Sequence, residues 1–397
     1  MERLEPNLGF LRSLRRQGGQ ALKKCFQCGT CSAVCNLTPA ASPFPRKEML
    51  WAQWGFKGPL TADPDIWLCH GCGDCSANCP RGANPSEVLG ALRNHTIEEY
   101  SAPRFFAKAF RDTRFLLLLL AIPILFMVVA FAWRGGLAFP GGTVEYANFI
   151  PEQTIELTLG SWLLLTVIAT IAGLSRFWKG MQGYEEQHRR EGETPVTKSR
   201  WASWAWVIGQ IFGHQQFGKC QRTVSRRWQH QFVFYGFLLL FFATLGRTYY
   251  HYIWHFDYEL PLFNVVKLAG NLGGVILLVG LVAMVYTRFL HGVGQAVSVY
   301  FDWFFVTVLG FTALTGFLTE FSRLGSLGAD SYLIYLSHLF FIFLLLVYLP
   351  FSKFGHILYR TLALYHLHRI GRVGAPIRPE ESPSISESLE GVATAGS

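Results

Sequence analysis

Eight cysteines lie between positions 25 and 79 of this 397-residue chain, and their spacing repeats. Cys25-Phe-Gln-Cys28-Gly-Thr-Cys31-Ser-Ala-Val-Cys35 is followed by Cys69-His-Gly-Cys72-Gly-Asp-Cys75-Ser-Ala-Asn-Cys79-Pro80. Each run reads C-x2-C-x2-C-x3-C, the spacing that holds a pair of [4Fe–4S] clusters. Three thiolates on a tight loop reach three irons of one cubane, and the fourth, beyond a chain reversal, reaches the other cluster. The expected sets are Cys25, Cys28, Cys31 and Cys79 for one cluster, and Cys69, Cys72, Cys75 and Cys35 for the second. Gly29, Gly71 and Gly73 let backbone N–H groups approach the sulfurs, where hydrogen bonds tune potential. A pair of zinc ribbons needs two C-x2-C pairs and no third close cysteine, which these runs do not match. Asn36 stands where the second run has Pro80, and this removes no ligand. Cysteines this dense argue for metal ligation in a reducing compartment rather than for disulfides. The ninth, Cys220, stands alone.

Histidines offer a second ligand set. His230 opens one apolar segment and His251 closes it, while His338 lies inside the last apolar segment and His356 just past its end. On one continuous helix, His338 and His356 share a face about 27 Å apart, and His230 and His251 are about 31 Å apart. Antiparallel helices then pair His230 with His356 on the inner side and His338 with His251 on the outer side, as two bis-histidine haems b stacked across a bilayer require. Ionisable groups inside a span are functional candidates by default. Lys267, near Asn271 at the outer end of another apolar segment, either snorkels outward or meets a haem propionate or a quinone carbonyl. A quinone site is expected there. His188, His214, His291, His366 and His368 fall in polar segments, where a solvated surface is the expectation.

These side chains need a scaffold, and composition supplies its outline. Hydrophobic residues make up 51% of the chain and charged residues only 15%, against about 25% charged for soluble domains, which excludes a disordered chain and disfavours a soluble enzyme. Six apolar runs, at about 115–133, 158–177, 231–250, 262–286, 302–321 and 332–351, are each near the ~20 residues that cross a bilayer. Lys and Arg concentrate in the 178–229 segment and after residue 352, whereas 134–157 and 251–261 are nearly free of them. The positive-inside rule therefore puts both termini in the cytoplasm, and the net charge of +9 reads as topology rather than as a nucleic-acid footprint. Arg15-Arg16 is followed by Gln17-Gly18-Gly19-Gln20, not by the apolar stretch of a twin-arginine signal. The expected fold is mainly α: a ferredoxin-like two-cluster domain over 1–105, a six-span haem b bundle over 106–360, and a Ser/Pro/Glu-rich, largely disordered cytoplasmic tail over 361–397.

The Cys domain resembles the iron–sulfur C subunit of heterodisulfide reductase, in its motifs and its Cys79-Pro80 ending. The membrane half resembles the haem b subunits of heterodisulfide reductase and of respiratory nitrate reductase, on Leu336-Ser337-His338, Phe351-Ser352-Lys353-Phe354-Gly355-His356 and the Lys267 that precedes a Gly-rich stretch. That family places a second histidine about ten residues after the first on the partner helix, where this chain has Leu240. The fusion of both halves is similar to the membrane subunit of quinone-interacting membrane-bound oxidoreductase complexes. These resemblances imply a membrane electron-transfer subunit that links menaquinone, two haems b and two [4Fe–4S] clusters to cytoplasmic flavin and iron–sulfur subunits, and on to adenylylsulfate reductase. They leave open a heterodisulfide-type thiol/disulfide complex. A non-redox membrane anchor with a zinc-stabilised head is the rival of another class. No nucleophile or acid–base constellation for a soluble substrate is visible in the chain.

Overall fold

The computed structural model describes residues 5–39, 42–133, 139–141, 143–189, 197–219, 224–255, 260–261, 263–290, 299–325 and 327–373. Cys220, His291 and the chain from 374 onward lie outside these residues. Among the described residues the chain is helical and has no strand. The N-terminal unit holds α1 (Leu8–Arg16), α2 (Thr30–Ala33), α3 (Arg46–Trp54), α4 (Lys57–Ala62), α5 (Asp74–Ala77), α6 (Pro85–Tyr100) and α7 (Arg104–Ala109). After it come α8 (Leu116–Trp133), α9 (Tyr146–Phe149), α10 (Glu152–His188), α11 (Arg200–Gly213), α12 (Val224–Trp254), α13 (Val265–Leu290), α14 (Tyr300–Leu324), α15 (Ala329–Val347) and α16 (His356–Arg369). Six helices, α8, α10 and α12 to α15, are long and apolar enough to cross a membrane, in agreement with the six expected runs.

The repeat in the sequence is a repeat in structure. The short helices α2 and α5 each follow a glycine in the left-handed region, Gly29 at φ 83° and Gly73 at φ 88°, a conformation that a side chain would strain. That explains why both cysteine runs carry Gly at the same place.

The N-terminal unit shares a core with the rest of the chain. Leu14, Leu22, Met49, Leu60, Ile66, Trp67 and Leu92 pack with Phe177 and Met181 of α10, Val207 of α11, and Tyr359, Ala363 and Leu364 of α16. Trp67 stacks on Tyr359, with ring centres 5.9 Å apart and planes 14° from parallel. Helix α10 makes this possible by its length. Its 37 residues extend roughly 55 Å, well beyond a ~30 Å hydrocarbon layer, so its C-terminal turns stand clear as a mast against which the cysteine domain packs. Polar contacts fasten the same seam: Lys47, paired within the cysteine domain with Asp63 at 2.9 Å and Asp65 at 3.0 Å, donates to Tyr184 Oη of α10 at 3.2 Å, and Arg372 joins Asp65 at 3.3 Å to Glu185 of α10 at 2.9 Å.

Helices α12 and α13 touch backbone to backbone. A Cβ added at Gly236 would sit 2.6 Å from Leu277 N and 2.7 Å from Gly273 O, and one at Gly280 would sit 2.8 Å from Phe232 Cβ and 2.9 Å from Val233 N. Small residues at a membrane helix contact allow this approach.

Four expectations need correction. His338 and His356 are not on one helix: α15 ends at Val347, tight turns cover Leu349–Phe351 and Lys353–Gly355, and His356 opens α16. Pro350 lacks an N–H and cannot continue α15. His214, His366 and His368 are not solvated but are 4%, 5% and 6% exposed. The 178–229 segment is not a plain loop, since it holds the end of α10 and all of α11. Residues 361–369, expected in a largely disordered tail, belong to helix α16 and pack against the shared core.

Candidate functional site

The two cysteine runs fold into two four-cysteine groups. Cys25, Cys28, Cys31 and Cys79 line one cavity, together with Arg46 and Arg81. Burial pushes the Cys31 thiol up to about 11, and the neighbouring Cys25 and Cys28 sulfurs add to this. Cys28, at the open side, is held below its ordinary value by the Thr30 hydroxyl, 3.2 Å from its sulfur. The other group joins Cys35 to the second run: burial pushes Cys35 up to about 11, and the charges it meets include Cys69 and Cys72. Cys75 is pushed higher by burial, with Cys69, Cys72 and Cys35 around it. Each group thus takes three cysteines from one run and the last from the other.

Of the three expected glycines Gly71 gives a sulfur backbone support, and another backbone N–H and a side-chain amide join it. Gly71 N donates to Cys69 Sγ at 3.3 Å, Ala83 N to Cys79 Sγ at 3.3 Å, and Gln27 Nε2 to Cys25 Sγ at 3.4 Å. All eight cysteines are free of disulfides. Among the described residues, the three metal-ligating atoms that lie within 4.8 Å of one another belong to Glu48, Asp63 and Asp65. No three cysteine sulfurs among the described residues lie within 4.8 Å of one another. A set of four cysteines per group is the donor set of a [4Fe–4S] cluster.

The groups face opposite ways. The first is at the surface, where Cys28 is exposed and Phe26 beside it is 58% exposed. The second is turned toward the membrane half and held by arginines from three elements. Arg93 of α6 donates to Cys69 O at 2.8 Å, Arg360 of α16 to Cys69 O at 3.1 Å, and Arg226 of α12 to Gly71 O. His70 packs its ring 4.9 Å from Phe217, and Phe217 lies 5.3 Å from His230. The second group is therefore two ring contacts away from the first transmembrane histidine.

His230 and His356 come together at this point. Their ring centres are 6.5 Å apart and their planes cross at 82°. A metal bonded at ~2.1 Å to two imidazoles would set their ring centres roughly 6.5 Å apart, so these two residues would be spaced to hold a group between them. Nδ1 of His356 lies 2.6 Å from Lys353 O. A carbonyl only accepts, so this nitrogen carries the proton and Nε2 keeps its lone pair, the orientation usual for a metal-bound histidine. Lys353 is itself pinned, its Nζ 2.9 Å from Asp302 of α14 and 3.3 Å from Asn94 Oδ1 of α6. His214, on the turn after α11, sits with Nε2 2.8 Å from His230 Nδ1.

The outer residues are arranged differently. Nδ1 of His338 lies 3.1 Å from Thr315 Oγ1 on α14, and Thr315 donates its own proton to Phe311 O at 2.6 Å, so His338 Nε2 is also left with its lone pair. His251 Nε2 is 3.8 Å from Glu156 of α10. Lys267 pairs with Glu320 of α14 at 3.2 Å, one turn or so along α13 from half-buried Asn271. Sequence reasoning missed Glu320, His214 and the three arginines. A carboxylate near the outer end of an apolar run was a signal for Glu320, but nothing in the spacing marked the others.

A small cluster-binding domain built into a six-helix membrane protein is thus the class of molecule that the fold and site define. Comparison with known proteins agrees for both halves: residues 21–83 match the 4Fe-4S dicluster domain, and residues 107–375 match the family Citrate utilization protein B. The chain belongs to that family. It is 27% identical over 363 residues to citrate utilization protein B of Escherichia coli, covering 87% of this chain and 89% of that protein. Its cysteine domain is 34% identical over 89 residues to an Archaeoglobus profundus protein that is itself like the C subunit of heterodisulfide reductase, covering 22% of this chain and 47% of that one. It is 33% identical over 90 residues to the C subunit of the H(2):CoB-CoM heterodisulfide,ferredoxin reductase of Methanothermobacter marburgensis, over 22% and 48%. The chain thus spans about half the length of those two archaeal relatives. No solved structure matches it significantly.

Proposed function

We propose that this chain is the membrane electron-transfer subunit of a quinone-linked oxidoreductase, with Cys25, Cys28, Cys31 and Cys79 holding one [4Fe–4S] cluster and Cys35, Cys69, Cys72 and Cys75 the other. His230 and His356 hold an inner haem b; His338, with His251, holds an outer one. The observation that carries the reading is the His230–His356 pair, 6.5 Å between ring centres and reached from the second cysteine group through His70 and Phe217. When bound, these groups carry single electrons between a quinone and a soluble partner, chemistry that belongs to the cofactors. The chain's own part is placement. Arginines clamp the inner cysteine loop, backbone N–H groups tune the sulfurs, and Lys353 and His214 fix which nitrogen each inner histidine presents. Lys267 and Asn271 form the quinone end, where the ammonium donates a charge-assisted hydrogen bond to a quinone carbonyl and Glu320 holds the ammonium in place.

The soluble partner docks at the exposed first cysteine group and carries flavin or further iron–sulfur centres. The full-length relative named for citrate utilization favours a partner in the use of citrate or a similar carboxylic acid over adenylylsulfate reductase. A thiol/disulfide complex of the heterodisulfide type draws support from the cysteine domain alone. Membranes purified with the intact chain test the reading directly. Iron and sulfide of about eight each per chain beyond haem iron, and loss of one haem b from the reduced-minus-oxidised spectrum of His356→Ala, are expected. Stoichiometric zinc, or unchanged haem in that variant, ends it.

A further inference from the structure

His214 is neither in a span nor in a motif, yet it is 4% exposed and its ring makes the closest contact to His230 of any side chain in the site, 2.8 Å from Nε2 to Nδ1. We propose that His214 is the positioning residue of the inner histidine pair, its Nε2 accepting a hydrogen bond from Nδ1–H of His230 so that His230 presents Nε2 to the haem iron. The inference rests on the reading that His230 and His356 hold that haem, and it adds a residue to which neither motif nor family match assigns a role.

The proton positions follow from the partners. His214 Nδ1 lies 3.1 Å from Phe212 O, and a carbonyl oxygen accepts but never donates, so the proton is on Nδ1. The Nε2 of a neutral imidazole protonated at Nδ1 is an acceptor. It faces His230 Nδ1 at 2.8 Å, which must then be the donor. The remaining nitrogen of His230 is Nε2, with its lone pair available. His356 reaches the same state in one step, through Lys353 O at 2.6 Å. The two ligands are thus prepared alike, one by a carbonyl directly and the other by a carbonyl acting through a second imidazole. Outer partners of this kind fix the tautomer and ring orientation of a metal-bound histidine and raise its basicity.

The backbone at His214 supports the same conclusion independently. The residue caps α11 in the left-handed region, φ 48° and ψ 36°, a position that usually goes to glycine. A histidine held there is a feature that the surrounding structure has to enforce. The enforcing bonds are visible. Phe212 O also accepts from Tyr235 Oη at 2.6 Å, Gly213 O accepts from Arg227 at 3.1 Å, and Gln216 Oε1 accepts from Arg360 at 2.6 Å. Tyr235 and Arg227 are on α12 with His230, and Arg360 is on α16 with His356. The turn that carries His214 is therefore tied to both helices that carry the ligand pair.

The experiment uses the full chain purified in detergent, as wild type, His214→Ala, His214→Gln and His230→Ala, with cluster iron and sulfide as the control for folding. Haem content is read by difference spectrum, and the ligand field of the inner haem by its low-spin EPR g-values and midpoint potential. His214→Ala is expected to bind the inner haem at least tenfold more weakly, with shifted g-values, and to regain both on addition of free imidazole. His214→Gln, whose amide oxygen is also an acceptor, is expected to keep the haem with g-values and potential displaced from wild type. A His214→Ala protein with wild-type haem affinity and g-values, beside a His230→Ala protein that lacks one haem, overturns this inference and leaves the haem reading intact. A His230→Ala protein that keeps both haems overturns the reading beneath it. If His214→Ala does not fold, unchanged g-values and potential in His214→Gln overturn the inference equally.

Discussion

Replacing Gly280 by alanine tests whether the helix seam sets the histidine pair. A Cβ at this position of α13 would lie 2.8 Å from Phe232 Cβ, 2.9 Å from Val233 N and 3.0 Å from Gln229 O. These atoms bracket His230 on α12, and two of the three are backbone and cannot rotate away. Ordinary contact begins near ~3.5 Å, so α12 must move by roughly half an ångström just where His230 is anchored. Metal–ligand distances tolerate only about ±0.2 Å, so ligation fails before the fold does. Overpacking of this size costs about 1–3 kcal/mol, and the better helix propensity of alanine offsets up to about 1 kcal/mol of it. The Gly280→Ala protein is expected to keep its cluster iron, to melt a few degrees lower in detergent, and to lose or broaden the inner haem signal. Gly209 and Gly183, with no atom within 4 Å of an added Cβ, are the controls, and alanine there should leave the haem spectrum unchanged. A Gly280→Ala protein with wild-type melting and haem spectrum would refute the claim that this backbone contact places His230.

Burial, helped by the Arg111 guanidinium, holds His95 of α6 down to about 2. The folded state therefore binds fewer protons than the unfolded one below about pH 6.5, and stability falls as pH drops from there, by up to ~1.4 kcal/mol per unit. Denaturant unfolding at pH 7 and pH 5 checks this, and a His95→Phe protein with the same pH slope as wild type contradicts it. Lys267→Ala is expected to slow haem reduction by a menaquinol analogue several-fold at normal haem and cluster content, and Glu320→Gln to do so less. Wild-type rates in Lys267→Ala would make the lysine only a partner for Glu320.

What could be read from the sequence was what is encoded locally. Cluster loops are legible because three ligands fall within seven residues and the glycines beside them are demanded by backbone conformation. Spans are legible because a bilayer imposes a length. The meeting of His230 with His356 was expected, but by a route that fails: the supposed continuous helix stops at Val347, and Leu349-Pro350 with Gly355 were the signals that could have shown it. His214 was read as solvated because it sits in a polar segment, and polarity says nothing about a turn that two distant helices pull inward. The docking of α16 onto the cysteine domain was equally hidden. Its apolar residues Ala363, Leu364 and Leu367 look like ordinary helix, and the surface they cover is formed by residues some 300 positions earlier.

The three arginines at the second cysteine loop explain why that docking is tied to the ligand charge. Arg360 donates only to backbone carbonyls and to Gln216 Oε1, and the charged groups it meets are Arg93 and Cys69. Burial, with Arg93 nearby, lowers this guanidinium to about 10. Gathering the half-buried Arg93, Arg226 and Arg360 in this way is unfavourable unless an opposite charge is close. Asp63, Asp65 and Glu48 do not serve, since they are engaged with Lys47 and Arg372 at the far side of the loop. The sulfurs of Cys69 and Cys72 do serve: both are among the charges that Arg226 meets, and Cys69 is among those that Arg360 meets. The same cations that hold the cysteine domain on the membrane half therefore face Cys69 and Cys72 of the second group. At the first group the arginines are exposed ones, Arg46 and Arg81, and Arg46 draws the Cys25 and Cys28 thiols down from an open surface. The electrostatics thus set the two groups apart: the second sits among half-buried arginines beside the histidines, and the first among exposed ones at the surface.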